Sequence, residues 1–566
     1  MDMALNNRPI VLLGIDGATY SLLDPLIREG RLPHLARLKQ EGAYGILQST
    51  IHPITPAAWV SMVTGVNPGK HGVYDFRRRR EARYDWELVN SRSWNGTPVW
   101  SILGEQGSKI GVFNVPMTYP PHPVNGFMVA GISTPPNSKE FIYPSNLAVQ
   151  FCERFPDYLI EPDAKTNDLD EYFLRNERLL EQRIEALRYV RAEYPDLDFF
   201  MPVFIETDRI HHVYWRFLDP AMPDYYHPSA TKWREKIATF YQRIDDVLAE
   251  LWAWVGERQG YILVVSDHGF GPLLRDVYIN QWLVDQGYLV LKPGRSPSVE
   301  GRFFDQVDWD RTRAYSFGFF GNINLNLRGR EPRGSVEPGR EAETLKEEII
   351  ANLLPLTDLE TNQPIVDAIH RKEELYSGIY LDQAPDLLVI MKNYAYMTRD
   401  NFDFDSGQFI GPPMQYNRHI LPHSGNHRLE GIIMMAGEGI KSGSAINGAT
   451  ILDVAPTVLY LAGSPIPVDL DGRVLLTAFD EAFQVKSPPK YTSSNNKSDV
   501  SIKPPKAQLL EKDVQIAILD EEARKFRQLV VEQNMKIRDL EEIIERFKNG
   551  RVMRLLGWLQ SVRKKW

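Results

Sequence analysis

The sequence predicts an α/β fold, and two observations support this prediction. Three apolar runs, each the length of one strand, are typical of fully buried strands; they lie within Pro9–Ile15, Asp196–Thr207 and Tyr261–Val265. Segments with a helical pattern, such as Asp168–Glu193, lie between them. An aspartate follows each run, and ligands in open α/β sheets bind outside the carboxyl ends of the strands. We therefore expect a functional site at that edge of the sheet.

The composition is that of a globular protein. Of the 566 residues, 43% are hydrophobic and 25% are charged, and the formal net charge of −9 argues weakly against general nucleic-acid binding. Cys152 is the only cysteine, which fits a reducing compartment without proving it. No basic segment precedes a long apolar run at the N-terminus, and no stretch approaches the ~18 apolar residues of a membrane span. We expect a cytoplasmic location.

The first predicted strand, within Pro9–Ile15, is followed by Asp16 and Gly17. The glycine permits a tight turn, which would present the aspartate at the end of the strand. Asp16 is therefore either a ligand or an ordinary turn or capping residue.

A helix is predicted within Ile51–Gly65. Thr55 has the position of an N-cap, Pro56 that of the first helical residue and Gly65 that of the stop signal. A hydroxyl at a helix N-terminus lies beside unpaired N–H groups and the positive end of the helix dipole, which favours phosphate binding and alkoxide formation. Thr55 is a candidate nucleophile, and the alternative is a threonine that only caps the helix.

The second buried strand is followed by Asp208, with His212 four residues further on. If a helix begins at Asp208, the two side chains share one face and can chelate one ion. The neighbouring His211 must face another way, so the spacing favours His212. A surface ion pair is the alternative for these two residues.

The third buried strand, Tyr261–Val265, is followed closely by Asp267 and His268, a carboxylate and an imidazole that can point into one crevice. A further buried strand is predicted at Gly431–Ala436. His427 precedes this strand in a glycine-containing turn that could present its ring as a metal ligand. His423 is the competing candidate for that ligand.

The remaining pattern predicts one catalytic domain, 8–480, with pocket-shaping insertions at about 77–195 and 275–420. A flexible linker is predicted at 486–506, because proline, serine, asparagine and lysine replace apolar residues there. Apolar spacings of three and four between 516 and 547 predict a coiled-coil helix at 507–548 that self-associates, or a helix that folds back on the domain. The basic amphipathic segment 551–566 would contact an anionic membrane surface, here the inner membrane surface, or a partner.

Together the candidate ligands suit two metal ions. Carboxylates and imidazoles suffice for three ligands on each ion, and mixed nitrogen and oxygen ligands suit zinc, with manganese as the alternative. Two adjacent metals can activate an attacking oxygen and stabilise the charge of an in-line displacement.

The motifs resemble those of the alkaline phosphatase superfamily, in its type I phosphodiesterase/nucleotide pyrophosphatase branch. They are GIDG at 14–17, TPAAWVSMVTGVNPGKHG at 55–72, DRIHH at 208–212, SDHG at 266–269 and GNHR at 425–428, with DVAPTVLYLAG and DLDGRVL closing the domain. The resemblance implies a three-layer sandwich with a central, mostly parallel sheet.

The resemblance also implies a role for each matching residue. Thr55 would be the nucleophile and form a covalent phospho-threonine. The metal ligands would fall into two groups: Asp208, His212 and His427 on one ion, and Asp16, Asp267 and His268, with Thr55 bridging towards it, on the other. The preference for His427 over His423 rests on this match.

Two departures from the family pattern bear on specificity. The nucleotide pyrophosphatases carry an asparagine soon after the HG of the long motif, whereas this chain has Asp75 and Phe76 there. The oxyanion-stabilising residue is therefore not identified. Thr55 and its neighbours lack the C/S-x-P-x-R pattern of the formylglycine sulfatases, and Cys152 lies elsewhere.

We therefore predict a two-metal phosphohydrolase that cleaves a phosphate mono- or diester of a small substrate. One alternative is a phosphotransferase that uses the same intermediate. Another is a catalytically idle scaffold tethered by its coiled-coil tail.

Overall fold

The computed structural model describes residues 8–493, except for 81–82, 136–137, 163, 294–302, 359, 401–408 and 414–419. These residues belong to one compact unit, Met1–Ser494. The second unit, Asn495–Trp566, lies outside the described residues. The predicted coiled-coil helix at 507–548, the basic helix at 551–566 and most of the linker therefore stay predictions.

The described residues form a central sheet of nine strands. In spatial order the strands are Ser444–Thr450, Ala43–Gln48, Glu430–Ala436, Tyr261–Val265, Ile10–Ile15, Phe199–Phe204, Ile110–Val115, Gly126–Ala130 and Ile142–Tyr143. Pairing is parallel except for Glu430–Ala436, which is antiparallel to both neighbours, and the edge strand Ile142–Tyr143. The predicted α/β fold with a mostly parallel sheet is confirmed.

Both faces of this sheet are covered. Alternate residues of Ile10–Ile15 enter two separate cores, and the whole strand is buried. The first face is covered by Tyr20–Arg28, Pro33–Glu41, Ser145–Arg154, Leu169–Glu193, Glu206–Leu218 and Ala230–Gly256. The second face is covered by Thr55–Thr64, Val99–Glu105 and Val454–Leu461. The arrangement is three layers, with helices on either side of a sheet.

A smaller α/β body with its own core lies within 277–396. Its four strands are, in spatial order, Ala314–Ser316, Asn322–Leu325, Leu387–Met391 and Val366–Arg371. The helices Ile279–Asp285 and Arg340–Leu353 pack on it. The turn before its second strand carries Phe319 and Phe320, whose side chains face the candidate active site.

The remaining regular elements are short. The strands are Arg77–Arg79 with Trp86–Leu88, Gly269–Pro272 with Gly425–Arg428, Arg275–Tyr278 with Tyr396–Arg399 and Ile410–Gly411, and Ile466–Pro467 with Tyr491–Thr492. The short α-helices are Pro68–His71, Phe303–Gln306, Lys372–Leu375 and Glu481–Lys486. Single 3-10 turns occur at Pro223–Tyr226, Leu381–Gln383, Lys392–Tyr394, Ile451–Asp453 and Leu476–Ala478. Among the helices that the structure describes, none has the length and apolar character needed to cross a bilayer.

Candidate active site

Three neighbouring parallel strands bring the predicted aspartates to one edge of the sheet. Ile10–Ile15 lies between Tyr261–Val265 and Phe199–Phe204. Asp16 follows the first of these strands directly, and Asp267 follows the second after one residue. Asp208 lies in the first turn of the helix Glu206–Leu218, which begins two residues earlier than the sequence predicted.

Asp16, Asp267 and His268 form one buried group whose ligand atoms lie within 4.8 Å of one another. Nε2 of His268 is 3.3 Å from Oδ2 of Asp267 and 3.5 Å from Oδ1 of Asp16. Those two carboxylate oxygens are buried, and neither has a hydrogen-bond partner in the described part of the chain. Buried polar atoms are normally paired, so this group of ligand atoms is a candidate site for a cation.

Asp208, His212 and His427 form the second group. Oδ1 of Asp208 lies 3.3 Å from Nε2 of His212 and 3.1 Å from Nε2 of His427. The two Nε2 atoms are 3.2 Å apart. His427 lies in the strand Gly425–Arg428, paired antiparallel with Gly269–Pro272, and not in the predicted turn.

Backbone carbonyls fix the tautomer of all three histidines. The Nδ1 atoms lie 2.7 Å from the oxygen of Pro53 for His427, 3.1 Å from that of Gly425 for His212, and 3.1 Å from that of Gly269 for His268. A carbonyl can only accept, so each Nδ1–H donates, and Nε2 is the ring nitrogen that points into the ligand group. This is the orientation of a metal-ligating histidine.

Thr55 lies beside the first group. It is the first residue of the helix Thr55–Thr64, and Ile54 has the N-cap position that the sequence assigned to Thr55. Its Oγ1 is 3.5 Å from Nε2 of His268. The rings of His268 and His427 stack with centroids 3.6 Å apart, so the two groups adjoin.

Burial dominates the electrostatics of these groups. It raises the pKa of Asp16 to about 8, with a further contribution from the charge of Asp208, and it raises the pKa of Asp267 well above its usual range. Burial lowers the pKa of His268 and His427, which keeps both rings neutral. Burial opposes ionisation of Asp208 too, but the neighbouring histidines hold its pKa well below the usual range. A concentration of carboxylates and neutral imidazoles fits divalent cations.

The structure distinguishes His212 from the adjacent His211, and His427 from the competing candidate His423. His211 is buried and turned away, with Nε2 3.0 Å from the Tyr241 hydroxyl, and burial lowers its pKa to about 3. His423 stacks on His212 with ring centroids 4.5 Å apart but lies outside both groups.

A cavity of about 340 Å³ opens beside Thr55 and the second group. Thr55, Asp208, His212 and His427 line one side of it. Other lining side chains are Phe76, Phe319, Phe320, Met397, Arg209 and Glu161. The cavity thus combines an apolar wall, the candidate metal ligands and one arginine, a combination typical of small-molecule sites.

Asp75 supports this wall from behind. Its carboxylate accepts hydrogen bonds from the backbone N–H of Phe319 at 2.7 Å and of Arg77 at 3.2 Å. Asp75 does not line the cavity, whereas Phe76 does. Of the two residues found where the family has its asparagine, Asp75 therefore holds the turn that carries Phe319, and Phe76 lines the cavity.

Sequence reasoning missed Trp59 and Arg209. The indole of Trp59 donates to Oδ2 of Asp16 at 3.0 Å. Trp59 lies four residues after Thr55, so helical spacing alone could have suggested that it faces the same site. Arg209 follows Asp208 directly, but its orientation into the cavity carries no sequence signal.

With this geometry in hand, the comparison with protein families is direct. The sequence profile of the type I phosphodiesterase/nucleotide pyrophosphatase family matches residues 10–407. The chain belongs to this family, within the alkaline phosphatase superfamily, as the motifs predicted. Its class is therefore that of hydrolases acting on phosphoester bonds.

Several solved structures are similar to this chain. Phosphonoacetate hydrolase from Sinorhizobium meliloti 1021, in complex with phosphonoformate, is 16% identical with a TM-score of 0.49, over 80% of this chain and 94% of that chain. Human ectonucleotide pyrophosphatase/phosphodiesterase 5 is 14% identical with a TM-score of 0.45, over 81% and 95%. The murine protein is 13% identical with a TM-score of 0.47, over the same shares. A comparison with curated proteins gives no match.

Proposed function

We propose that the protein is a two-metal phosphohydrolase that cleaves a phosphate mono- or diester through a covalent phospho-threonine. One observation carries the proposal. In each ligand group, imidazole Nε2 atoms and carboxylate oxygens converge at 3.1–3.5 Å from one another. Imidazole nitrogens and carboxylate oxygens gathered in this way are the usual ligands of zinc and related divalent cations.

The two ligand groups define the ions. Asp208, His212 and His427 would hold one, and Asp16, Asp267 and His268 the other, with Thr55 beside it. The mixed nitrogen and oxygen donors favour zinc, with manganese as the alternative. When bound, the ions would stabilise negative charge on the phosphoryl and leaving-group oxygens.

Thr55 is the proposed nucleophile. Its hydroxyl is buried at the cavity wall and belongs to the first turn of a helix, where free N–H groups stabilise an oxyanion. Attack of Oγ1 on phosphorus forms the phospho-threonine and releases the alcohol from the opposite side. Water then cleaves the phospho-threonine and restores the hydroxyl.

The test is hydrolysis of bis(p-nitrophenyl) phosphate and p-nitrophenyl phosphate with added zinc or manganese. Thr55→Ala should abolish turnover, whereas Thr64→Ala, at the far end of the same helix, should retain it. Acid quenching during turnover, followed by peptide mapping, should find phosphate on Thr55. Full activity of Thr55→Ala would overturn the assigned nucleophile.

The same experiment separates hydrolysis from transfer and from an idle scaffold. Added glycerol that captures most of the phosphoryl group would indicate a transferase. Folded protein that binds no zinc or manganese would favour the scaffold.

A further inference from the structure

Arg209 faces the cavity beside a candidate metal ligand. Among the described residues that line this cavity, it is the only lysine or arginine. One guanidinium nitrogen, Nη1, lies 3.2 Å from Oδ2 of Asp208, and Nη2 pairs with the carboxylate of Glu161. The Arg209 side chain is 25% exposed, so its guanidinium can be reached from the cavity.

The two carboxylate oxygens of Asp208 face different partners. Oδ1 faces the histidines of the ligand group, and Oδ2 faces Arg209. A single carboxylate therefore separates the guanidinium from the proposed cation. A phosphoryl group held there would present its outer oxygens, or a substituent next to them, to Arg209.

The segment that carries Glu161 is held from the interior. The fully buried Arg183 pairs with Glu206 at 2.9 Å, donates to the carbonyl of Ile160 at 2.8 Å and contacts the Tyr158 hydroxyl. Glu161 follows these anchored residues directly. Its own side chain is 41% exposed, so substrate can displace the carboxylate without unfolding the segment.

Charge and shape indicate the ligand. A guanidinium binds phosphate or carboxylate oxygens through parallel N–H donors. Glu161 occupies one of the Arg209 donors, Nη2, as a substrate anion would, while Nη1 donates to Asp208. Phe319, Phe320 and Met397 make part of the cavity wall apolar.

We propose that Arg209 is a specificity-determining residue that binds a second anionic oxygen of the substrate, and that Glu161 covers it until substrate enters. The substrate class is a phosphoester with more than the single charge of a simple diester. The second charge belongs either to the dianionic phosphoryl group of a monoester or to a carboxylate or phosphate next to the scissile bond. This inference rests on the proposed function.

The test uses three esters with one leaving group. They are methyl p-nitrophenyl phosphate, with one charge, and p-nitrophenyl phosphate and carboxymethyl p-nitrophenyl phosphate, with two. Arg209→Met should lower kcat/KM for at least one doubly charged ester roughly 10- to 100-fold more than for the methyl ester, because a charged hydrogen bond is lost. Glu161→Gln should raise the same value, by about 2- to 5-fold, because a weak competing ion pair is removed.

The control is Arg188→Met, which removes a half-exposed arginine paired with Glu250 away from the cavity. This variant should leave the ratio of kcat/KM for the doubly charged esters to kcat/KM for the methyl ester unchanged. A loss confined to p-nitrophenyl phosphate assigns the contact to the phosphoryl group; a loss confined to the carboxymethyl ester assigns it to the substituent.

Equal losses for all three esters in Arg209→Met, or a lowered ratio in Glu161→Gln, would overturn the inference while leaving hydrolysis intact. Wild-type protein that cleaves none of the esters would instead refute the proposed function. Calorimetric binding of inorganic phosphate to the zinc-loaded wild type and Arg209→Met then still decides the role of Arg209, and equal affinities reject it.

Discussion

Trp59 links the helix of the proposed nucleophile to a candidate metal ligand, and this contact predicts the effect of Trp59→Phe. Its indole N–H donates to Oδ2 of Asp16 at 3.0 Å, and the ring is fully buried. The other oxygen, Oδ1, has no hydrogen-bond partner among the described residues. Phenylalanine keeps an aromatic ring in the core but removes the donor.

The expected loss of zinc affinity follows from the removal of one hydrogen bond to a charged acceptor. Such a bond contributes about 1.5–3 kcal/mol, and loss of the group behind a metal ligand lowers metal affinity roughly 10- to 100-fold. Burial and the charge of Asp208 already raise the pKa of Asp16 to about 8. Without the indole this pKa rises further, so zinc must displace a more tightly held proton. We expect zinc to bind Trp59→Phe about 10- to 100-fold more weakly near pH 7.

The assay is competition for zinc with a chromogenic chelator, and Trp100→Phe is the matched control. Trp100 is buried in the same core, but its indole N–H has no hydrogen-bond partner within the described residues. It therefore reports the cost of the smaller ring alone. Wild-type zinc affinity in Trp59→Phe, or an equal loss in Trp100→Phe, would refute the reasoning.

Three further predictions concern metal and stability. Removal of metal by a chelator should abolish turnover and lower Tm, because a ligand at a hundred times its Kd stabilises the folded state by about 2.7 kcal/mol. Added zinc should restore both turnover and Tm. An unchanged Tm after chelation would contradict bound metal. Arg183→Met should destabilise the fold by about 3–5 kcal/mol because it leaves Glu206 buried without its partner, whereas Arg183→Met with Glu206→Leu should recover most of the loss; a double variant as unstable as the single one rejects this. Burial raises the pKa of Asp75 from 3.8 to about 6. Between these two pH values the folded state therefore binds more protons than the unfolded state. The free energy of unfolding should fall by about 3 kcal/mol as the pH rises across this window. Thermal unfolding of Asp75→Asn should lack this fall, and an unchanged pH profile would show that another group is responsible.

Local sequence patterns were enough to predict those parts of the candidate site that lie close together along the chain. Asp16 and Asp267 could be found because each follows a fully buried strand closely, and His268 because it adjoins Asp267. Asp208 and His212 could be paired because four residues make one turn of a helix. These patterns depend only on neighbouring residues, and the order of the motifs was enough to identify the family.

The contacts between residues that are distant in sequence could be seen only in the folded chain. His427 reaches Asp208 from a ribbon more than two hundred residues further along the chain, and spacing cannot distinguish it from His423. The antiparallel direction of Glu430–Ala436 also depends on both of its neighbours in the sheet.

The composition of the cavity wall also depends on contacts between residues that are distant in sequence. Asp75 binds the backbone of Phe319, and Arg209 pairs with Glu161, across 244 and 48 residues of sequence. Composition and periodicity report whether a residue is buried and which way it faces on its own element. Which elements pack together depends on contacts summed over the whole chain, so the charges and apolar groups that line the cavity became visible only in the folded protein.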